Sequence, residues 1–325
     1  MTAADSRAVF HLPARDIPVP TSVSEEAQAM LSAGPLVPPE AWPEPDDLDG
    51  WRARVARLDQ QFLAMLGAAT PPASQVDEID LGHCPVYVIL PDDVSPDDRR
   101  VYLDIHGGAW TCGGGDACRL LARLLAPRFG ARFWSVDYRM PPDHPYPAPL
   151  DDCLAAYRAL LEVRRPEEII VGGGSAGGNL AAALILRARD EGLPLPAAVV
   201  LLTPATDLTS SGDTWQTNLG LDTALTVTAA PAMRLYSGGH DLRDPYLSPL
   251  FGDLRQFPPV ILTTGTRDVL LSDTVRLHRA LLAADVPAEL HVFEAAGHGM
   301  FMGRAPEDRD RDRQVRRFID QHWNR

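Results

Sequence analysis

Four short stretches hold residues whose types and spacing could serve one reaction. In Ile169-Ile-Val-Gly-Gly-Gly-Ser175-Ala-Gly-Gly-Asn179, an apolar, β-branched run stops at glycines around a single serine, and helix-forming Leu180–Leu184 follows. A serine on such a strand-to-helix turn presents its hydroxyl clear of the backbone. Gly173 and Gly177, two residues either side, allow strained dihedrals and close helix–strand packing, the G-x-S-x-G pattern. The turn also leaves backbone N–H groups, Ala176's among them, at a helix N-terminus, where a developing oxyanion is stabilised. A second stretch, His106-Gly107-Gly108-Ala109-Trp110, leaves another apolar run and can aim further N–H groups outward as part of the same oxyanion hole. The third holds His298, flanked by glycines in Glu294–Phe301 and the only histidine of that loop, as the general base. A serine hydroxyl is a poor nucleophile at neutral pH; a histidine with a pKa of about 6.5 can take its proton, and a carboxylate fixes the ring's tautomer. The fourth stretch, Thr263–Asp273, supplies that carboxylate. Asp268 is favoured as the first acid past the apolar run. Asp273 is its rival, with a structural task of its own, capping a helix or complementing its dipole.

These residues need a scaffold that brings loop ends together. Val86–Leu90, Val101–Ile105, Arg132–Val136, Glu168–Val171, Ala198–Thr203, Val260–Thr264 and Glu289–Phe293 read as strands. Helical patterns fall between them near 116–128, 149–163, 176–190, 273–284 and 308–322. Repeated β-α alternation implies an α/β fold, a mostly parallel sheet with helices on both faces. Amphipathic helices are expected near Ser24–Leu31 and Leu48–Leu66. The rhythm breaks between Pro204 and Pro258, after a strand's C-terminal end, the edge where open α/β sheets bind ligands. The expected organisation is a helical cap from residues 1–50 and 205–245 over a core of 51–204 and 246–325. Trp110, Trp215, Met300 and Phe301 are the expected pocket residues.

Composition excludes other chemistry. The chain has 325 residues, a net charge of −14, and no lysine among its 30 basic residues. It can have no P-loop lysine, lysine Schiff base or Ser-x-x-Lys nucleophile. The acidic balance argues against nucleic acid or an anionic membrane as partner. Cys84, Cys112, Cys118 and Cys153 form no C-x-x-C pair or zinc spacing and read as reduced thiols of a cytoplasmic protein. No secretory leader is expected from the first residues, nor a membrane span from any apolar run. No metal or cofactor is expected, and a homodimer is left open.

With the pieces in the order Ser, Asp, His, the chain resembles the hormone-sensitive-lipase-like branch of the α/β-hydrolases. Asp137-Tyr-Arg-Met-Pro-Pro-Asp-His-Pro-Tyr-Pro-Ala-Pro-Leu-Asp-Asp152 is similar to that branch's Tyr-Arg-x-x-Pro-Glu-His-Pro-x-Pro-Ala signature, and Ser248-Pro-Leu-Phe-Gly-Asp253 to its members. The resemblance covers roughly residues 80–325. It implies a catalytic Ser175, Asp268 and His298, oxyanion donors from the Gly107–Ala109 loop and Ala176, and a structural role for 137–152 in bracing the His106 loop. The activity implied is cytoplasmic hydrolysis of short-chain esters of small molecules through an acyl-enzyme, with a lactone as the alternative substrate. Two departures stand out: Ala109 and Gly174, where the branch usually has glycine and an acid. Ala109 keeps its N–H, so the hole survives unless that position needs a positive φ. Two rivals come from other classes. Gly172-x-Gly174-x-x-Gly177 fits a dinucleotide fingerprint, but the next strand ends Leu201-Leu-Thr-Pro204 without the ribose-binding acid of an NAD oxidoreductase. A non-catalytic receptor on this fold would be expected to have lost the serine or histidine.

Overall fold

Strand order follows from where the apolar runs can pair. The structure, a computed structural model, describes residues 9, 11–36, 40–44, 46–67 and 70–323. Residues 1–8, 10, 37–39 and 45 of the expected N-terminal cap segment lie outside those described. Eight strands, β1 (Ser74–Asp80), β2 (Pro85–Pro91), β3 (Val101–Ile105), β4 (Arg132–Val136), β5 (Ile169–Gly174), β6 (Ala198–Leu202), β7 (Val260–Gly265) and β8 (Ala288–Phe293), form one sheet ordered β1-β2-β4-β3-β5-β6-β7-β8. β2 runs antiparallel to β1 and β4, and all pairs from β4 to β8 are parallel.

Parallel neighbours need crossovers, and helices supply them. They are α3 (Asp116–Phe129), α4 (Ala148–Val163), α5 (Ala176–Asp190) and α8 (Leu271–Ala283), with α9 (Pro306–Trp323) after β8. Both faces of the central strands are therefore covered. Alternate residues divide between two cores: Val101, Leu103, Val171 and Leu201 face one, Tyr102, Ile170, Val200 and Ile261 the other.

Two elements depart from expectation, and the stretch expected to be helical takes definite form. β1 was not foreseen: its SQVDEID sequence is largely exposed and lies at the sheet edge, so it has no apolar alternation to reveal it. Glu168 belongs to a 3₁₀ turn, not the strand. The 205–257 stretch contains two short helices, α6 (Thr214–Thr217) and α7 (Ala230–Ser237).

At the N-terminal end, α1 (Glu25–Ala33) starts at Ser24, whose hydroxyl accepts from Ala27 N–H, and α2 spans Leu48–Gly67. Val23 and Ala27 pack in a third apolar cluster with Ala295, Ala296, Met300 and Phe301. Leu36 N–H donates to Thr223 O at 2.8 Å and Trp42 Nε1 to Thr228 O at 2.8 Å, joining the N-terminal segment to the 205–257 stretch. No helix among the described residues is long and apolar enough to cross a membrane.

Candidate active site

The elbow is tight because two backbones meet there. Ser175 sits between β5 and α5 with φ 57° and ψ −120°, a conformation L-residues rarely adopt and one that costs about 1–3 kcal/mol. A Cβ on Gly173 would lie 2.5 Å from Ile105 O, and one on Gly177 only 1.9 Å from that oxygen. Both glycines are required by this approach. Gly174 is different: its nearest neighbour would be 3.6 Å away, so a side chain fits and its absence removes only a functional group.

Three loops converge on Ser175 Oγ. His298 Nε2 lies 2.9 Å from it and Nδ1 lies 3.3 Å from Asp268 Oδ1. A carboxylate can only accept, so Nδ1 carries the proton and Nε2 faces the hydroxyl as a base. Asp268 is buried, accepting also from Leu270 N–H at 2.8 Å and Thr264 Oγ1 at 2.8 Å. Burial favours the neutral ring of His298, but the bond and charge of Asp268 and the charge of Asp222 outweigh it, and its pKa lies above the ordinary histidine value.

Asp273 is turned away from this group. Its carboxylate accepts from Thr206 N–H and Asp207 N–H, both at 3.0 Å, and from Trp215 Nε1 at 3.0 Å. It therefore ties the loop after β6 to α8; it lies in the first turn of that helix, where its structural task was expected, and none of these bonds caps the helix's own N–H groups. Burial pushes its pKa up to about 7.

The His106 loop lies against the elbow, where a Cβ on Gly107 would come 2.9 Å from Gly174 O and 3.3 Å from Ser175 Cβ. The loop turns through Gly108 at φ 119°, Ala109 at φ 50° and Trp110 at φ 60°. Ala109 thus does occupy a positive-φ position, holding the left-handed turn at a strain of about 1–2 kcal/mol. Among the described residues the N–H groups of Gly107, Gly108 and Ala109 have no backbone or side-chain acceptor, and Ala176 N–H opens α5 with none. Two braces hold the loop from behind. Tyr138 Oη donates to His106 O at 2.9 Å with the two rings stacked 4.2 Å apart. Asp59 of α2 accepts from Gly113 N–H at 2.7 Å.

The four expected pocket residues sit in the packing. Trp110 and Trp215 are 1% and 4% exposed, their indole N–H groups given to Asn179 Oδ1 and Asp273 Oδ1. Met300 and Phe301 are buried against α1. Among the described residues two groups offer metal-ligand types, His83–Cys84–Asp152 and His106–Cys118–Asp137. Asp152 is already engaged by Arg139, and Asp137 by Gly115 N–H and Tyr87 Oη.

Asp222 is the residue that sequence reasoning missed. It lies in the 205–245 stretch and its carboxylate accepts from His298 N–H at 3.1 Å. Nothing local in Gly220-Leu-Asp-Thr-Ala224 signals that reach across 76 residues.

Comparison with known proteins bears on the family. The Abhydrolase_3 family, described as having the alpha/beta hydrolase fold, matches residues 102–302. An acetyl-hydrolase of Streptomyces hygroscopicus is 36% identical over 230 residues, 70% of this chain and 74% of the relative. The carboxylesterase NlhH of Mycobacterium tuberculosis is 32% identical over 70% of this chain and 76% of its own length. Among solved structures, esterase E25 superposes with a TM-score of 0.87 at 34% identity, covering 97% of this chain and 99% of its own. EstE5, in a crystal soaked with p-nitrophenyl butyrate, gives 0.80 at 26% identity over 93% of this chain and 100% of its own. An esterase from the bacterial hormone-sensitive lipase family gives 0.80 at 29% identity over 92% and 99%. The chain belongs to the α/β-hydrolase family, in the branch of the bacterial hormone-sensitive-lipase-type esterases.

Proposed function

We propose that the protein is a serine carboxylesterase that cleaves short-chain esters of small molecules, with Ser175 as nucleophile, His298 as base and Asp268 as the acid that orients it. The observation that carries this reading is the 2.9 Å contact of Ser175 Oγ with a ring nitrogen that Asp268 leaves unprotonated. Ser175 Oγ attacks the ester carbonyl while Nε2 takes its proton. The tetrahedral oxygen anion is met by the N–H groups of Gly108, Ala109 and Ala176, with Gly107 completing the turn. Collapse expels the alcohol, which takes the proton back from His298. Water activated by the same nitrogen then attacks the acyl-enzyme, releases the acid and restores Ser175.

Support for small acyl groups comes from the acetyl-hydrolase and from the esterase whose crystal was soaked with p-nitrophenyl butyrate. Segments 1–50 and 205–245 act as a two-part cap, a reading supported by the Leu36–Thr223 and Trp42–Thr228 bonds and by α1 on Met300 and Phe301. The four free thiols fit a reducing compartment such as the cytoplasm.

Hydrolysis of p-nitrophenyl acetate and butyrate tests the mechanism. Ser175→Ala should lower kcat on the order of 10⁶-fold, by analogy with other triads, and an organophosphonate should label the native protein at Ser175 alone. A variant keeping a tenth of the wild-type rate would sink the mechanism.

A further inference from the structure

We propose that Asp222 is a positioning residue of the triad, its carboxylate holding the backbone of the Asp268 loop and that of His298 in register. The inference rests on the roles given above to Ser175, Asp268 and His298. Asp222 is 2% exposed and lies on a turn that α6 feeds, its own N–H given to Asn218 O at 3.0 Å. Its oxygens accept from N–H groups of three segments. His298 N–H approaches Oδ1 at 3.2 Å and Oδ2 at 3.1 Å, and Val269 N–H donates to Oδ2 at 3.0 Å. Ala224 and Leu225 N–H reach Oδ1 at 2.9 and 3.2 Å. One carboxylate thus joins the residue after Asp268 to His298 itself.

Asn218 completes the clamp from the same turn. Its Nδ2 donates to Thr266 O at 3.1 Å and Asp268 O at 2.9 Å, so one turn holds acceptors and donors of the acid loop together. The base loop is shaped to receive the carboxylate: a Cβ at Gly297 would come 3.0 Å from Asp222 Oδ1, tighter than a side chain readily tolerates. Thr223 O on this turn accepts from Leu36, which links the N-terminal segment to the clamp.

A neutral acceptor could not replace the carboxylate. Both oxygens face only N–H donors, so an amide would turn its NH₂ against one of them. The charged groups that bear on the His298 ring are Asp268 from the acid loop and Asp222 from this turn; Ser175 faces it from the elbow as a neutral hydroxyl. The Asp222 charge therefore also favours the imidazolium that forms during attack.

The test compares wild type, Asp222→Asn and Gly297→Ala on p-nitrophenyl butyrate, measuring kcat and KM across pH, with melting temperature as the check on folding. Asp222→Asn should lower kcat by about 10- to 100-fold, the scale of a misplaced catalytic group, with KM within about threefold. It should also move the inflection of kcat/KM to lower pH, because removing an anion eases proton loss from His298. Gly297→Ala crowds the carboxylate but keeps its charge, so kcat should fall while the inflection stays. A folded Asp222→Asn with wild-type kcat, or one whose kcat falls with the inflection unmoved, overturns the proposal. Should Asp222→Asn fail to fold, Gly297→Ala decides, and an undiminished kcat overturns it. An active Ser175→Ala would instead sink the mechanism beneath the proposal.

Discussion

Asp268 and Asp273 are five residues apart, both fully buried, and their oxygens meet different groups. At Asp268, Oδ1 takes N–H donors from His298 and Leu270, while Oδ2 takes a hydroxyl from Thr264. A hydroxyl can reverse, so Asp268→Asn can donate its NH₂ to Thr264 and fold normally. It loses the charge that stabilises the imidazolium, and kcat should fall steeply, by up to the about 10⁴ seen in serine proteases if the amide turns its NH₂ to His298 and imposes the wrong tautomer. At Asp273 both oxygens take N–H donors, two from the backbone and one from Trp215. An amide there must set NH₂ against N–H, so Asp273→Asn should lose about 2 kcal/mol in urea denaturation at pH 8, with kcat nearly kept. The reverse pattern would exchange the two roles. Proximity to the strand end made Asp268 legible in the sequence. The partners of Asp273 were not, because Thr206 and Trp215 are 67 and 58 residues away and only the fold brings them in. The same holds for Asp222.

Helices and strands were legible where burial imposes a pattern. β3 and β4 occupy the residues expected of them, since both are flanked by turns and buried in a parallel sheet. β1 was invisible because an exposed edge strand needs no apolar face, and α7 because it lies in an insertion without the alternating rhythm. The elbow is the element where sequence and geometry bear most directly on each other. Its glycines are not equivalent. Gly177→Ala would drive a methyl to 1.9 Å from Ile105 O, pushing α5 off β3, and should destabilise the protein by about 3 kcal/mol while abolishing activity. Gly174→Ala meets nothing nearer than 3.6 Å and should be neutral or gain up to about 1 kcal/mol, because the unfolded chain loses freedom. Thermal melts of the two variants would separate them. Equal effects would mean that the β5–α5 approach is looser than these distances.

Over the whole molecule, proton release should set stability against activity. Burial pushes Asp273 up to about 7 and Asp104 up to about 6, the latter against the bond from Ser135. Unfolded, both would titrate at about 3.9. From about pH 4 to 7 the folded protein therefore holds protons that the unfolded chain has released, and stability falls as pH rises. His298 acts in the same direction, since its folded pKa is raised: that contribution is present below about 6.5 and lost above it. The net charge of −14 adds self-repulsion at the alkaline end. Opposing them, Asp207, Glu307 and Glu168 have lowered values, Glu168 to about 2; burial works against their charge, but hydrogen bonds and neighbouring arginines prevail. Their stabilisation is present above about pH 4 and lost below it. The melting temperature should thus peak in acidic solution, near pH 4 to 5 by these values, and fall toward pH 8. kcat/KM should rise across that same span, because catalysis needs neutral His298 and its inflection lies above the ordinary histidine value. Asp104 offers the internal check. It is 4% exposed and its Oδ2 accepts from Ser135 Oγ at 2.7 Å, a bond that an amide oxygen also accepts. Asp104→Asn should therefore fold, remove part of the loss of melting temperature between pH 5 and 8, and leave the activity profile in place. A melting temperature that climbs in step with kcat/KM in wild type would show that these buried carboxyls fold ionised, and a fall that Asp104→Asn leaves untouched would show that Asp104 does not carry it.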